Sequence, residues 1–315
     1  MHTLLHSAGL QTDQRLSEIY GAIAKGSPLT ARFLFQPIKG ASITFSRKDG
    51  LMGAGTRYIG QEPEQTKFNY KPVTEKTSIF YADFRYDKNE LSRMVNPEAF
   101  LKSALEDQAA SISRAFADEV LNGTGDDSGL RGAKYRVDPE LLFTAIEGKI
   151  NIAQLQMAQL ALQPANVTDV VILVSDQTYV QLVDLLASKH LLERSKDQFE
   201  NNIVSFNGSE IIRMSTFQKQ VDNGNGKFST ITVNPLPFNE TVVVNEGTTL
   251  ENTGSIYLMN LAPHRFNGIE GEAGITTEPY AVGAIYKGVH MSWDAGIAEY
   301  SARSVARIQG LTSPF

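Results

Sequence analysis

Residues Asn96–Gly123, NPEAFLKSALEDQAASISRAFADEVLNG, carry the signals of one long helix. Asn96 is a favourable N-cap, Pro97 suits the first helical position, and Glu98 places a carboxylate at the positive end of the helix dipole. Leu101, Leu105, Ile112, Phe116 and Val120 recur about every fourth residue and make one apolar stripe. Lys102, Glu106, Asp107, Arg114 and Asp118 lie off it. Asn122-Gly123 is a stop signal, with Gly123 expected in a left-handed conformation. At 1.5 Å per residue the helix spans roughly 37 Å, far longer than an ordinary globular helix. Taken alone, it reads first as an ordinary long helix of an α/β enzyme. Its flanks decide the matter.

Upstream, residues 41–86 change character. Short alternating runs, Ile43-Thr44-Phe45 and Thr77 to Phe84, predict strands. Between them Gly50, Gly53, Gly55, Gly60, Pro63 and Pro72 are mixed with many charges. The whole reads as a long hairpin with too little apolar material for a core of its own, so it needs a partner surface. The glycine cluster lacks the Gly-Lys-Ser/Thr ending of a phosphate loop. Residues 1–40 read as an arm. Leu16, Ile19, Tyr20 and Ile23 predict a short amphipathic helix that Gly26, Ser27 and Pro28 break, and LTARFLFQPIKG is expected to run extended across another subunit.

Downstream, Asp126 and Asp127 sit among glycines, but their spacing is not that of an EF-hand loop, and a tight turn is the reading. Asp138-Pro139-Glu140 predicts the start of a helix carrying Leu141, Leu142, Ile146, Leu155, Leu160 and Leu162, with a break near Gly148 and an end before Pro164. Asp169–Val174, DVVILV, is a continuous β-branched run that suits the middle of a sheet covered on both faces. Ser175 or Asp176 then caps a helix, DQTYVQLVDLLASKH. Ser209–Met214, Phe228–Val233 and Thr241–Val244 predict shorter strands, with a turn at Asp222–Lys227. Residues 132–262 therefore read as an α/β unit around a central sheet. Residues 254–310 are mostly strand-like, and a strand over Ser301–Ile308 would put Arg303 and Arg307 on one face.

The 315 residues, 42% hydrophobic and 20% charged, have the composition of an ordinary folded protein. The absence of cysteine excludes disulfides, zinc–thiolate sites, iron–sulfur clusters and thiol nucleophiles and fits a reducing cytoplasm. The first twenty residues lack the basic start and apolar core of a signal peptide, and no apolar run is long enough to span a membrane. A net charge of −6, from 29 basic and 35 acidic residues, argues against a tight grip on nucleic acid. No Gly-x-Ser-x-Gly elbow, His-Glu-x-x-His pair or dinucleotide glycine fingerprint occurs. His2, His6, His190, His264 and His290 are scattered. His2 and His6 have a metal-site spacing but no accompanying carboxylate motif, and each histidine reads as a packed or surface side chain. No catalytic residue, cofactor site or metal site is assigned.

Three quoted segments carry a family resemblance. FADEVLNGTGDDSGLRG (residues 116–132) resembles the end of the spine helix and following turn of tailed-bacteriophage major capsid proteins, whose fold is shared with encapsulin shells. DVVILVSDQTYVQLVDLLASKHLLE (169–193) is similar to the family's strand-then-helix, with Ser175-Asp176 where an Asn-Pro is common. NNIVSFNGSEIIRMSTF (201–217) is similar to its glycine-then-strand step, where Gly-x-Pro-Val is commoner. The tail from Tyr280 to Gly310 is similar to the closing strands of its peripheral domain, and the order of parts matches over nearly the whole chain.

The resemblance implies an α+β phage capsid shell fold: an N-terminal arm (1–40), an extended β-hairpin loop (41–86), a peripheral domain (87–131) with the spine helix at 97–121, an α/β axial domain (132–262), and a return to the peripheral domain (263–315). It implies a structural major capsid protein, not an enzyme, forming pentamers and hexamers of an icosahedral shell around double-stranded DNA. The partners implied are copies of itself, a separate scaffold protein, a portal, decoration proteins and loosely contacted DNA, with no membrane. The place implied is the virion, after assembly in the host cytoplasm. Only about 40 residues precede the hairpin, too few for a fused scaffolding segment, so such a segment is removed or a separate protein. Arg47, Lys48, Asp49, Arg57, Lys67, Lys71 and Lys76 are the expected assembly contacts. Some family members join subunits by a lysine–asparagine isopeptide bond. Lys48, Lys67, Lys71 and Lys76 lie in the corresponding loop, but the partner asparagine and the assisting acid have no match. An encapsulin-type compartment is the near alternative. A soluble α/β enzyme or binding protein with a mobile lid at residues 47–78 is the alternative of another class.

Overall fold

The computed structural model describes residues 1–10, 14–48, 56, 58–62, 70–126, 129–196, 202–222, 228–245 and 248–313. The chain begins with three helices, α1 (Leu4–Leu10), α2 (Gln14–Gly26) and α3 (Pro28–Arg32), and a short strand β1 (Phe35–Pro37). A hairpin of β2 (Ser42–Lys48) and β3 (Tyr70–Asp87) follows, then α4 (Lys88–Arg93) and the long helix α5 (Pro97–Asn122). Next come β4 (Leu142–Thr144), α6 (Ile152–Ala161), β5 (Val170–Ser175), α7 (Asp176–Ser188), β6 (Leu192–Lys196), β7 (Asn202–Phe206) and β8 (Ser209–Met214). A ribbon of β9 (Phe217–Asp222) and β10 (Phe228–Val233) precedes β11 (Glu240–Asn245), β12 (Thr248–Asn260), β13 (Phe266–Val282), β14 (Tyr286–Glu299) and β15 (Val305–Thr312).

Two sheets organise these elements. A five-stranded sheet runs β1-β13-β14-β3-β2, and a larger one runs β4-β15-β12-β5-β8-β7-β6 with β11 also paired to β12. In the larger sheet β5 lies between antiparallel β12 and parallel β8. Its residues alternate between two cores. Val171 and Leu173 face the α5 side, while Val170, Ile172 and Val174 join Leu155, Leu182 and Leu186 of α6 and α7. Both faces are covered, which is why an unbroken β-branched run sits there.

The long helix starts as its sequence predicts. The Asn96 side chain accepts from Ala99 N at 3.1 Å, and Pro97 occupies the first turn. Burial is concentrated in its second half, where Ala109, Ile112, Phe116, Val120 and Leu121 are buried, whereas Leu101 and Leu105 are half-buried. Phe116 is the hub of an aromatic cluster, with ring centroids 5.8 Å from Phe33, 5.7 Å from Phe35, 5.5 Å from Phe80 and 4.9 Å from Trp293. Asp118, expected off the stripe, is buried and faces Lys219 of β9 at 3.5 Å. Gly123 is not left-handed, at φ −51°. It is required for space instead, because a Cβ there would sit 2.1 Å from the Leu130 carbonyl oxygen of the returning turn.

The first forty residues depart from expectation most. They do not run out across another subunit. Leu4, Ile19, Tyr20, Ile23, Leu29, Phe33 and Phe35 are buried in the same core as α5. Gly26 allows the end of α2 to meet α5, since a Cβ there would lie 2.6 Å from Ala110 Cα. Glu270 of β13 fixes α2 to the five-stranded sheet by accepting from Tyr20 Oη and Trp293 Nε1, each at 3.0 Å. Burial raises the Glu270 carboxyl above its usual range, and those two donors only partly offset it.

Two further expectations are corrected. The helix expected from Asp138 is a 3-10 turn over Pro139–Leu141 followed by β4, and the true helix starts at Ile152, capped by the Asn151 side chain to Ala153 N. Apolar spacing ran on through Ile146, but Glu147 and Gly148 take positive φ and end the local run in a turn. The last strand begins at Val305, not Ser301, so Arg303 and Arg307 do not share a strand face. Arg303 meets Glu140 at 2.6 Å, and Arg307 meets Glu240 at 2.6 Å while lying over the Tyr257 ring. Moreover, β15 is hydrogen bonded between β12 and β4, in the larger sheet.

Candidate assembly surface

The predicted hairpin forms. β2 and β3 pair antiparallel from Ser42↔Lys76 to Lys48↔Tyr70, and the facing Thr44 and Thr74 hydroxyls are 2.9 Å apart. Alternation in β2 sets its faces: Ile43 and Phe45 are half-buried, and Thr44 and Ser46 are exposed. Ile43 and Phe45 rest on a small satellite core of Ile38, Ile269 and Ala298, and the Phe45 ring lies 4.3 Å from that of Tyr300. That contact anchors β2, while Phe80 farther along β3 packs in the main core. Farther out, Tyr58 and Ile59 are 86% and 107% exposed, so the described residues give these large apolar side chains little cover.

Four charged groups close the root. Arg47 of β2 donates from Nη1 to Glu299 Oε2 at 2.9 Å, at the end of β14. Glu75 of β3 is gripped by Arg136, whose Nη2 donates to Oε2 at 2.8 Å and whose Nη1 donates to Oε1. Arg136 Nη1 also lies 3.9 Å from Glu299 Oε2. The Glu299 side chain is fully buried, and its Oε1 has no hydrogen-bond partner among the described residues. Burial pushes the Glu299 carboxyl up to about 7, against the opposing pull of Arg136 and Arg47. The cluster borders a cavity of about 510 Å³.

Of the expected contact residues, Arg47 is committed to its own chain through Glu299. Lys71 stands opposite Arg47 in the ladder and Lys76 opposite Ser42, and both are exposed. Lys48 ends β2 opposite Tyr70. Asp49, Arg57 and Lys67 lie outside the described residues. Glu75, Arg136 and Glu299 were not picked out from the sequence. They are separated by 61 and 163 positions, and no local pattern links them.

A second exposed region adjoins β3. From Ser78 to Asp87 this strand pairs with β14 alone. A groove of about 770 Å³ lies between it, α5 and the β9–β10 ribbon. Phe100 packs on Phe84 at 5.7 Å, while Ile79, Tyr81 and Val95 are exposed. Gln108 of α5 donates to the carbonyls of Ala82 and Val289 at 3.2 and 3.1 Å, fixing the helix across β3 and β14. On the opposite, exposed face His290 pairs with Asp83 at 2.8 Å. The His2 and His6 rings are 6.1 Å apart.

No family model matches the sequence, and no curated protein matches it. Solved structures do match. A chain of the holo-SrpI encapsulin complex from Synechococcus elongatus PCC 7942 is similar with a TM-score of 0.62 and 11% identity, over 90% of this chain and 86% of that one. The capsid of the native GTA particle is similar with a TM-score of 0.57 and 10% identity, over 87% of each chain. A chain of Mycobacterium phage Bobi is similar with a TM-score of 0.54 and 13% identity, over 90% of each chain. The fold is the α+β shell fold common to phage capsids and encapsulins.

Proposed function

We propose that this chain is the major capsid protein of a tailed bacteriophage, a structural subunit that assembles into pentamers and hexamers of an icosahedral shell around double-stranded DNA. The observation that carries this reading is the hairpin of β2 and β3 on a shell fold. It is rooted by four charges and one aromatic contact, and it leaves Tyr58 and Ile59 largely exposed, with Lys71 and Lys76 on its surface. Surfaces of this kind are buried when copies associate. The expected assembly contacts are therefore Lys48, Asp49, Arg57, Lys67, Lys71 and Lys76, with Arg47 reassigned to the root.

In this reading the two sheets mark the peripheral and axial parts. The five-stranded sheet with α5 is peripheral, and residues 132–262 are mostly axial. The final strand β15 goes with the axial part, because its hydrogen bonds are to β12 and β4. A separate scaffold protein, a portal and decoration proteins complete the assembly in the host cytoplasm. The modest acidity of −6 keeps the wall from gripping packaged DNA.

The encapsulin reading is the alternative of the same fold, which an encapsulin chain shares with a TM-score of 0.62. Electron microscopy and light scattering of the purified protein test both. Closed shells or capsomers support a shell subunit, and a small discrete particle overturns it. Nuclease-protected DNA inside particles from the native source supports the phage reading, and enclosed protein cargo without DNA supports the encapsulin one.

A further inference from the structure

The hairpin root holds a group that is poorly served in its present position. Glu299 is fully buried, one carboxylate oxygen accepts from Arg47, and the other has no hydrogen-bond partner among the described residues. An ionised carboxylate offers about four acceptor positions, and leaving half of them empty away from water is costly. A neutral carboxyl in the same place loses far less. Two of the four root charges, Arg47 and Glu75, belong to the hairpin; Arg136 and Glu299 belong to the body. Lifting the hairpin would therefore separate the cluster along one seam. Beside that seam is the cavity of about 510 Å³, which Glu299 helps to line.

We propose that Glu299 is the control point of a proton-operated hinge: with its carboxyl protonated the β2–β3 hairpin sits closed on the body, and its ionisation loosens the root and frees the hairpin to swing. The direction follows from linkage. Any form in which water reaches Glu299 lowers its proton affinity towards that of a free glutamate, so the closed form holds the proton more tightly. Raising the pH through about 7, where burial places this group, then favours the open form. The attraction of Arg47 and Arg136 opposes this, and burial outweighs it.

Other charged groups face the same space. Lys76 of the hairpin, with Asp126, Arg131 and Asp138 of the body, borders the cavity. Tyr135 also borders it. Tyr300 follows Glu299 in the chain, and its hydroxyl donates to Gln36 at 2.8 Å. Among the described residues, Glu299 alone of these carboxylates combines full burial with an oxygen lacking a partner. The biological use of the hinge, presenting the hairpin at one angle or another to a neighbouring subunit, rests on the shell reading above. The hinge itself does not.

The test reads the hairpin in the full-length chain kept unassembled, so that failure of the hinge and failure of the shell reading are separable. The chain has no cysteine, so Thr44→Cys and Ser111→Cys give two unique sites for spin labels, one on β2 and one on the exposed face of α5. Pulsed dipolar distances are measured from pH 5.5 to 8.5. A narrow distribution that broadens and shifts as the pH rises towards about 7 is expected. Glu299→Gln should hold the narrow distribution at every pH. Arg47→Met, which cuts the seam from the hairpin side, should broaden it at every pH. An unchanged distribution in the parent, or one that narrows as the pH rises, overturns the hinge, whether or not the Gln variant folds. A pH response that survives in Glu299→Gln also overturns it.

Discussion

Phe116 of α5 and Trp293 of β14 lie ring to ring, 4.9 Å apart and inclined at 53°, both fully buried. This pair joins the long helix to the five-stranded sheet at the point where Phe33, just after α3, Phe35 of β1 and Phe80 of β3 also converge. The load on α5 is uneven as a result. Ile112→Asp would bury an unpaired charge one turn from this cluster, costing several kcal/mol of a total near 5–15. Leu101→Asp, in the half-exposed first part, should cost about 1 kcal/mol or less. Urea unfolding followed by Trp293 fluorescence checks both. Equal losses in the two variants would refute the division of the helix.

Gly123 supports a narrower prediction. Its φ of −51° suits any residue, so conformational strain plays no part. Space decides, with the Leu130 carbonyl and the Glu119 carbonyl 2.1 and 2.6 Å from where a Cβ would stand. Both neighbours are backbone and cannot step aside. Gly123→Ala should therefore destabilise by about 1–3 kcal/mol, the usual range for overpacking. Gly40, at φ +83° with open space around it, is the control: Gly40→Ala should cost through backbone strain alone, about 1 kcal/mol. Chemical denaturation of the two variants separates crowding from conformation.

Much of this was legible in the sequence where a signal is local. The Asn96-Pro97 cap, the covered run Val170–Ser175 and the Ser175 cap to Thr178 N all depend on neighbours within a few residues. The N-terminal segment was misread because amphipathic helices and an apolar stretch such as LTARFLFQP look alike whether they bury against their own chain or another. Only the position of Phe33 and Phe35 beside Phe116 decides between them. The hairpin was legible as an element, and its root was not. Glu75, Arg136 and Glu299 are ordinary surface residue types until three distant segments are brought together.

The Glu299 carboxyl also makes stability depend on pH. Burial raises it from the ordinary 4.5 to about 7 in the folded chain. The folded form thus binds the proton more tightly than the unfolded one. The stabilisation associated with the protonated group is complete below about pH 4.5 and is lost as the pH rises to about 7. A shift of that size corresponds to roughly 3 kcal/mol. Comparing the parent with Glu299→Gln by urea unfolding from pH 5 to 8 isolates it: the difference in stability should move in favour of the Gln variant as the pH rises. A difference that stays constant, or moves the other way, would contradict the raised proton affinity of Glu299.

The hairpin gives the sharpest test of what the chain is for, and the structure sets where the cut must fall. Removing residues 47–78 whole would take Arg47 from Glu299, Glu75 from Arg136, and Thr77 and Ser78 from their pairing with Gly296 and Ala295. Those losses would damage the subunit itself. Replacing residues 49–69 by a short Gly/Ser turn leaves β2, β3 and the four root charges in place. It removes Arg57, Tyr58, Ile59 and Lys67. Tyr58 and Ile59 bury nothing in their own chain, so the truncated subunit should melt within about 0.5 kcal/mol of the parent, as surface changes do. Assembly should fail in the capsid reading, which assigns this segment to the contact between subunits, because stable association needs about 1,000 Å² or more of buried surface. Sedimentation and negative-stain microscopy of parent and truncated protein at equal concentration read the outcome. In a lidded enzyme the same change would leave particle size alone and alter ligand affinity. Shells of normal size from the truncated chain would remove the hairpin from the contact and, with it, the observation on which the capsid reading stands.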